Sequence, residues 1–382
     1  MKIQRAPHIY MEWEEGTLVA RRVGSEIKCQ MGPQVVELLD RIREPVGLAD
    51  VVAEYPDDEK PSVEATLNGL LGAGFVDEVG GAGDSGPKPG DESWWDAWGT
   101  QARTFHFATR DADFLPFRSE QSREFIEAVA GEGPPPPLYK RYPHSHRIPL
   151  PPHRDIATPM SSALENRRTH RTFHDTPVTL EAFSTVLHYS FAPLGYQDTG
   201  PLGVQMVKAS PAGGSRHDVE CYVACFHVEG IPEGLYHYCG PEHTLELVRS
   251  DLSRQEILDL TDQQGHCVNG AFTCFLTTVP NRIASKYRHP RAYRLWIYNV
   301  GHAAQTFALT CTALGLGPFQ TAAFHDSGLE KELRIDPREE FLTYIVGAGI
   351  PVLNEQGLPA DFWPADPPAT EEVPSSSPRE GN

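Results

Sequence analysis

Gly234-Leu235-Tyr236-His237-Tyr238 reads as a strand, and Glu242-His243-Thr244-Leu245-Glu246-Leu247 follows it closely. Ahead of it, strands cover 204–208 and 220–227, joined by Ser210-Pro211-Ala212-Gly213-Gly214-Ser215-Arg216-His217. Downstream, residues 281–294 read Asn-Arg-Ile-Ala-Ser-Lys-Tyr-Arg-His-Pro-Arg-Ala-Tyr-Arg and lead into a long helix over 292–315. Upstream, a helix ends around Glu165-Asn166, and Arg167-Arg168-Thr169-His170-Arg171-Thr172-Phe173 leaves it in extended form. Thr179 then N-caps a helix whose apolar stripe is Leu180, Phe183, Val186 and Leu187.

The chain has 382 residues and a formal charge of −19, with a pI near 5.2. An acidic chain that gathers Arg282, Lys286, Arg288, Arg291 and Arg294 into one run needs them for an anion. Two separated basic islands, this one and 167–171, point to a folded pocket for a phosphorylated small molecule. A nucleic-acid groove would need more cation over more of the chain. Residues 1–16 are charged early and lack the apolar core of a secretory signal. The most apolar long stretch, 295–317, carries Asn299, His302, Gln305 and several threonines, so it reads as a buried helix and not a membrane span. Seven cysteines include no CxxC pair. Cys221 and Cys225 share a strand face but lie roughly 13 Å apart, too far for one disulfide or one metal. Reduced buried thiols in a cytoplasmic protein are expected.

Residues 1–80 form a small unit. Short strands are expected over 8–14, 18–23 and 26–31, followed by helices over 35–42 and 48–55 and a third N-capped by Ser62, with Gly72 and Gly74 stopping it. That is a winged-helix order. Residues 81–152 comprise a Gly/Pro/Asp linker, a tryptophan-rich segment at 94–98 that docks it, and a proline-rich surface strap over 131–152. The main domain covers 153–353, and 354–382 is a Pro-, Ser- and acid-rich tail expected to be disordered.

Several chemistries are excluded. There is no GxxxxGK[ST], no Rossmann glycine fingerprint, no GxSxG, no HExxH and no metal-ligand spacing. Three elements remain. Arg167, Arg168, Thr169 and Arg171 offer forked donors and a hydroxyl to phosphate oxygens, although a solvated charged face presents the same string. Paired Gly213-Gly214 let a flat ring lie against the backbone, although a plain inter-strand turn also takes them. Lys286-Tyr287 suits proton transfer, although the start of a surface helix carries similar residues. Like charges from Arg282, Arg288 and Arg291 are expected to favour neutral Lys286 and ionised Tyr287.

Together, in this order, the three elements resemble the nitroreductase-like flavoproteins, and within them the SagB/McbC-type azoline dehydrogenases. The cues of most weight are the 234–247 stretch, then Lys286-Tyr287 ahead of Tyr293-Arg294, Asn299 and Gly301-His302, continuing through 313–317 to 346–351. Residues 1–80 resemble the PqqD-like peptide-recognition domains. The resemblance implies an α+β fold, with a mixed, mainly antiparallel sheet wrapped by helices. It implies a homodimer with FMN at the subunit interface, and oxidation of thiazolines and oxazolines to thiazoles and oxazoles in a ribosomally made precursor peptide, with a cyclodehydratase as partner. It assigns Arg167, Thr169 and Arg171 to the flavin phosphate and ribityl chain, with Arg168 assisting. It assigns Ser210, Ala212 and Gly213 to the isoalloxazine loop, and Lys286 and Tyr287 to catalysis.

The chain departs from that pattern in three places. No Lys or Arg occurs between Ile350 and Pro378, where the superfamily often contacts phosphate, leaving the 167–171 segment or Arg282 and its neighbours to do so. Ala212 stands where Ser is common, and Thr169 replaces Ser. Two other readings stay open: a nitro or quinone reductase or an oxidase of a non-ribosomal peptide, and a non-catalytic peptide-binding scaffold.

Overall fold

A computed structural model describes residues 1–7, 9–22, 27–80, 94–363 and 365. It divides into two compact units, Met1–Phe114 and Leu115–Asn382. In the first, β1 (Lys2–Arg5), β5 (Val46–Gly47) and β6 (Val76–Val79) form one antiparallel sheet in the order β5-β1-β6. A second sheet runs β2 (Ile9–Glu14), β3 (Thr17–Arg22), β4 (Lys28–Gln30). Helices α1 (Pro33–Arg41), α2 (Leu48–Ala53) and α3 (Lys60–Gly72) close a core around Ile3, Leu39, Ile42, Leu67 and Phe75. Ser62 is not the N-cap of α3. The helix starts from Glu59 with Pro61 in its first turn, where an absent N–H breaks no hydrogen bond. His8 and 23–26, expected at strand ends, lie outside the described residues, as do linker residues 81–93 and the tail beyond 365. The tryptophan segment is helical in α4 (Trp94–Ala108), which kinks at Gly99. Trp98 is 67% exposed, and the side chains of Trp94 and Trp95 lie outside the description.

The second unit is built on a seven-stranded, wholly antiparallel sheet. Its strands are β7 (Arg147–Pro149), β10 (Val219–Cys225), β11 (Gly234–Cys239), β12 (Thr244–Arg249), β13 (Phe272–Thr278), β14 (Gly317–Thr321) and β15 (Phe341–Gly349), in the order β14-β15-β13-β10-β11-β12-β7. The remaining two strands, β8 (Gly195–Asp198) and β9 (Val204–Val207), form a separate hairpin. Helices α5 (Glu120–Gly131), α6 (Met160–Asn166), α7 (Leu180–Phe191), α8 (Arg254–Leu260), α9 (His266–Asn269), α10 (Pro280–Ala284), α11 (Tyr293–Ala313) and α12 (Asp326–Leu333) surround them. Thr179 caps α7 by accepting from Ala182 N–H, as its position before the apolar stripe predicts.

The central strands are covered on both faces. Cys221, Val223 and Cys225 of β10 join Phe183, Phe272 and Phe307 beneath α7 and α11, while Tyr222 and Ala224 face Ile257, Phe275 and Leu329. A strand buried on both sides has no polar face, which is why 221–226 reads as an unbroken apolar run. All seven cysteines are free, and six are buried.

The proline-rich strap is not merely superficial. Lys140 N–H donates to Glu220 Oε1 (2.8 Å) and Tyr142 N–H to Glu246 Oε2 (2.9 Å), and the strap ends as edge strand β7. These carboxylates flank His237, whose Nδ1 and Nε2 lie 3.0 and 3.1 Å from Glu246 and Glu220. Arg282 Nη2 adds a 2.5 Å contact to Glu220, and both side chains are 7% exposed. Burial opposes the charge on Glu220, but Arg282 and His237 hold its carboxyl well below the ordinary range. A buried ion pair is costly to break from one side, since the survivor is left charged and dry. Arg282→Met should therefore lower unfolding free energy by about 3–5 kcal/mol. Arg288→Met, at an exposed pair with Glu132, should change it little. Urea denaturation of both variants checks this, and equal losses would contradict the assignment.

Candidate functional site

The long helix α11 carries Leu295, Asn299, His302 and Thr306 at spacings of four, three and four, which put them on one face. That stripe holds the glycine loop. Asn299 Oδ1 accepts from Gly213 N–H (3.1 Å), and its Nδ2 donates to Asp218 Oδ1 (2.6 Å). His302 Nδ1 lies 3.1 Å from the Pro211 carbonyl, and Ser210 Oγ lies 2.6 Å from Thr306 Oγ1. A Cβ on Gly213 would sit 3.0 Å from Leu295 Cδ2, so the loop runs close against the helix because it has none there.

Gly214 and Ser215 both take positive φ, +59° and +57°. At Gly214 a Cβ would fall 2.8 Å from Lys286 Nζ and collide with Tyr287 Oη. Lys286 and Tyr287 stand in the turn after α10, where both their amides donate to Ile283 O (3.1 and 2.9 Å). The structure thus brings Ser210, Ala212 and Gly213 together with Lys286 and Tyr287, all positioned by α10 and α11.

The electrostatics correct two expectations. Lys286 is lowered, first by burial and then by Arg216; Arg282, Arg288 and Arg291 do not account for it. Tyr287 is raised by burial, against the opposing pull of Arg216, so it keeps its proton where an ionised phenol was expected. The basic run itself is split between separate partners. Arg282 is committed to Glu220, and Arg288 makes a two-bond pair with Glu132 (2.7 and 2.6 Å), so neither is free for a phosphate.

A small cleft under the loop is lined by Lys208, Ser210, Ala212, His217, Asp218 and Asn299. Burial raises Asp218 to about 7, against its bond from Asn299. Burial lowers His217 to about 4, with Lys208 adding to it, and lowers Lys208 to about 8, with Glu220 opposing. Arg216, Asp218 and this role of Asn299 were not assigned from sequence. Arg216 and His217 lie in the 210–217 loop, but nothing local distinguishes them from turn residues.

The arginine segment lies elsewhere. Thr158, just ahead of α6, donates to the Ala313 carbonyl at the far end of α11, and His170 N–H donates to Pro318 O. Leu295 and Ala313 are separated by roughly 27 Å of helix. Within one chain, Arg167, Arg168, Thr169 and Arg171 are therefore not gathered around Lys286. Arg168 folds onto its own backbone, donating to Glu165 O and Arg167 O, and Arg171 pairs with Asp361 (3.2 Å). The loop and the Lys-Tyr pair offer what the polar edge of a flavin ring needs: a tightly held backbone and half-buried donors brought together at Gly214. The phosphate end has its cations, but not in the same part of one chain.

Folding favours protonated Asp218, so its contribution to stability is present below about pH 4 and is lost as pH rises towards about 7. Asp218→Asn keeps the acceptor for Asn299 and removes the buried charge. At pH 8 the variant should exceed wild type by about 2–4 kcal/mol, with the advantage gone near pH 4. Urea midpoints at both pH values check this.

Residues 164–350 match the Nitroreductase family. The chain is 24% identical over 314 residues to the trifolitoxin operon protein TfxC of Rhizobium leguminosarum bv. trifolii, covering 79% of this chain and 85% of that one. The trifolitoxin-processing protein TfxB of the same organism is 23% identical, covering 77% and 81%. The putative nitroreductase MJ1384 of Methanocaldococcus jannaschii is 28% identical over 176 residues, 46% of this chain and 84% of that one. The matched residues 164–350 include strands β10–β15 of the antiparallel sheet and the loop held by α11.

Proposed function

We propose that the chain is an FMN-dependent dehydrogenase that oxidises thiazoline and oxazoline rings to thiazoles and oxazoles in a ribosomally made peptide. The observation that carries the reading is the juxtaposition of a depressed amine, Lys286, and a protonated phenol, Tyr287, both packed against Gly214, where the missing Cβ lets them approach the glycine loop. The loop of Ser210, Ala212 and Gly213 would hold FMN at its ring, and FMN would supply the acceptor for the hydride that leaves the ring carbon next to Cα. The chain supplies the proton chemistry. Lys286, neutral more often than an ordinary lysine, takes the Cα proton that the adjacent C=N and carbonyl acidify. Tyr287 keeps its proton and orients the amine, whose Nζ stands 5.2 Å from the phenol ring centre.

Arg167, Thr169 and Arg171 hold the phosphate and ribityl chain, and a second copy of the chain brings them there. The face of α11 beside the loop carries exposed Ile297 (47%) and Tyr298 (52%) with Gly301, and Met160 and Leu164 of α6 are exposed as well. Packing that apolar face against its copy lets the arginine segment of one chain meet the Lys286 cluster of the other. Residues 1–80 act as a PqqD-like winged-helix domain for the precursor peptide. A groove there is lined by Arg5, Ile9, Met11, Leu18 and Val36, and β2 pairs only with β3 among the described residues, leaving an edge for an added strand. A cyclodehydratase that forms the azolines is the partner, in the cytoplasm. The trifolitoxin-processing name of one relative supports peptide modification. The putative nitroreductase among the relatives favours, as a second reading, a reductase of nitro or quinone compounds.

Purified protein should be yellow and release FMN. Lys286→Ala should keep the colour and bind azoline peptide, yet oxidise it at least 100-fold more slowly. Absorbance and mass-spectrometric detection of the loss of two hydrogens from the peptide check this; a colourless wild type would remove the premise. Mixing Arg167→Ala chains with Lys286→Ala chains, each nearly inactive alone, should restore roughly a quarter of wild-type activity, because mixed dimers hold one intact site. No restoration would mean the two segments serve one chain.

A further inference from the structure

Arg216 is 5% exposed, and its Nε is buried without an acceptor among the described residues. No described carboxylate lies within ion-pair distance of its guanidinium. Buried arginines are ordinarily paired, because an isolated buried charge is expensive. The neighbouring arginines are already committed. Arg282 holds Glu220, and Arg288 takes Glu132, the carboxylate on the same groove.

Arg216 stands between the loop and open space. It directly follows Gly214 and Ser215 with their left-handed backbone, and its charge reaches both Lys286 and Tyr287. On its other side is a groove of about 490 Å³ that it lines with Pro134, Pro135, Leu202, Asn281 and Ser285. The strap forms one wall, tied by Arg288 to Glu132 and by Arg282 Nε to Pro137 O (2.8 Å). An unpaired guanidinium at the mouth of a walled groove, next to the proposed base, is arranged to receive an oxygen anion.

We propose that Arg216 is the oxyanion-binding group of this site: its guanidinium holds the carbonyl or carboxylate oxygen attached to the ring carbon that Lys286 deprotonates. This deepens the dehydrogenase reading and rests on it for the identity of the base. In the step concerned the Cα–H bond breaks, and the proton passes to Lys286 Nζ. The electron pair delocalises from Cα into the adjacent carbonyl, whose oxygen gains negative charge and accepts from Arg216. A guanidinium already stripped of water stabilises that charge without having to reorganise. The ligand class is a five-membered heterocycle bearing a carbonyl or carboxylate oxygen, carried on an extended segment in the groove.

The test is calorimetric titration of the full chain with thiazole-4-carboxylate, comparing wild type, Arg216→Met, Arg216→Lys and Lys286→Ala. Wild type and Lys286→Ala should bind one equivalent per chain. Arg216→Met should bind at least tenfold more weakly with its flavin content unchanged, and Arg216→Lys should fall between them. Because nothing described pairs with Arg216, Arg216→Met should melt at or above the wild-type temperature, whereas a structural arginine would lower it. In azoline oxidation, the acid limb of the pH profile should move to higher pH in Arg216→Met, since the charge that depresses Lys286 is gone. No binding by wild type, or equal binding by wild type and Arg216→Met, overturns the proposal. If wild type binds the carboxylate at Arg216 but leaves azoline peptides unoxidised, the dehydrogenase reading fails while the anion site stands.

Discussion

The side-chain amide of Asn299 is the contact on which the site depends. It takes a hydrogen bond from the Gly213 backbone and gives one to the buried Asp218 carboxyl, joining α11, the glycine loop and the start of β10. Remove it and a loop with two successive left-handed residues has no partner in its middle. With it in place the loop is shaped before any ligand arrives, which is what positioning a flat ring requires. Asp218 tolerates the burial this demands by holding its proton up to about pH 7, so below neutrality the site is braced by an uncharged group.

Two buried polar systems serve different ends. Glu220, Glu246, His237 and Arg282 form a closed set in which every charge has an opposite, sealed by amides of the strap. That set joins strap to sheet. Arg216, Lys286 and Tyr287 form an open set with surplus positive charge and an unmet donor. Closed networks give rigidity, while open ones leave interaction energy for a ligand. The two lie side by side because the strap that closes the first also walls the groove beside the second.

Much was legible in advance. The strands at 220–227 and 234–238, the Thr179 cap, the extended exit at Arg167 and the long helix from 292 follow from periodicity, capping and turn chemistry acting over a few residues. The grouping of the glycine loop with Lys286-Tyr287 was legible through resemblance. The fates of Arg282 and Arg288 were not, because each depends on a carboxylate far away in sequence: Glu220 for the first, Glu132 for the second. The ionisation of Tyr287 was not legible for a different reason. Counting neighbouring arginines along the chain ignores burial, which dominates here.

Which segments are helix or strand, where the chain is acidic or basic, and which residue types are present for proton transfer and anion binding can all be read along the chain. These are properties of local pattern and composition. Which cations are spent inside the molecule and which remain open is settled by packing in three dimensions. The fold shows that Arg216 has no counter-charge among the described residues, and that the 167–171 segment lies at the opposite end of α11 from Lys286. Pairing and burial are set by elements packed across the sheet, and no spacing along the chain records them.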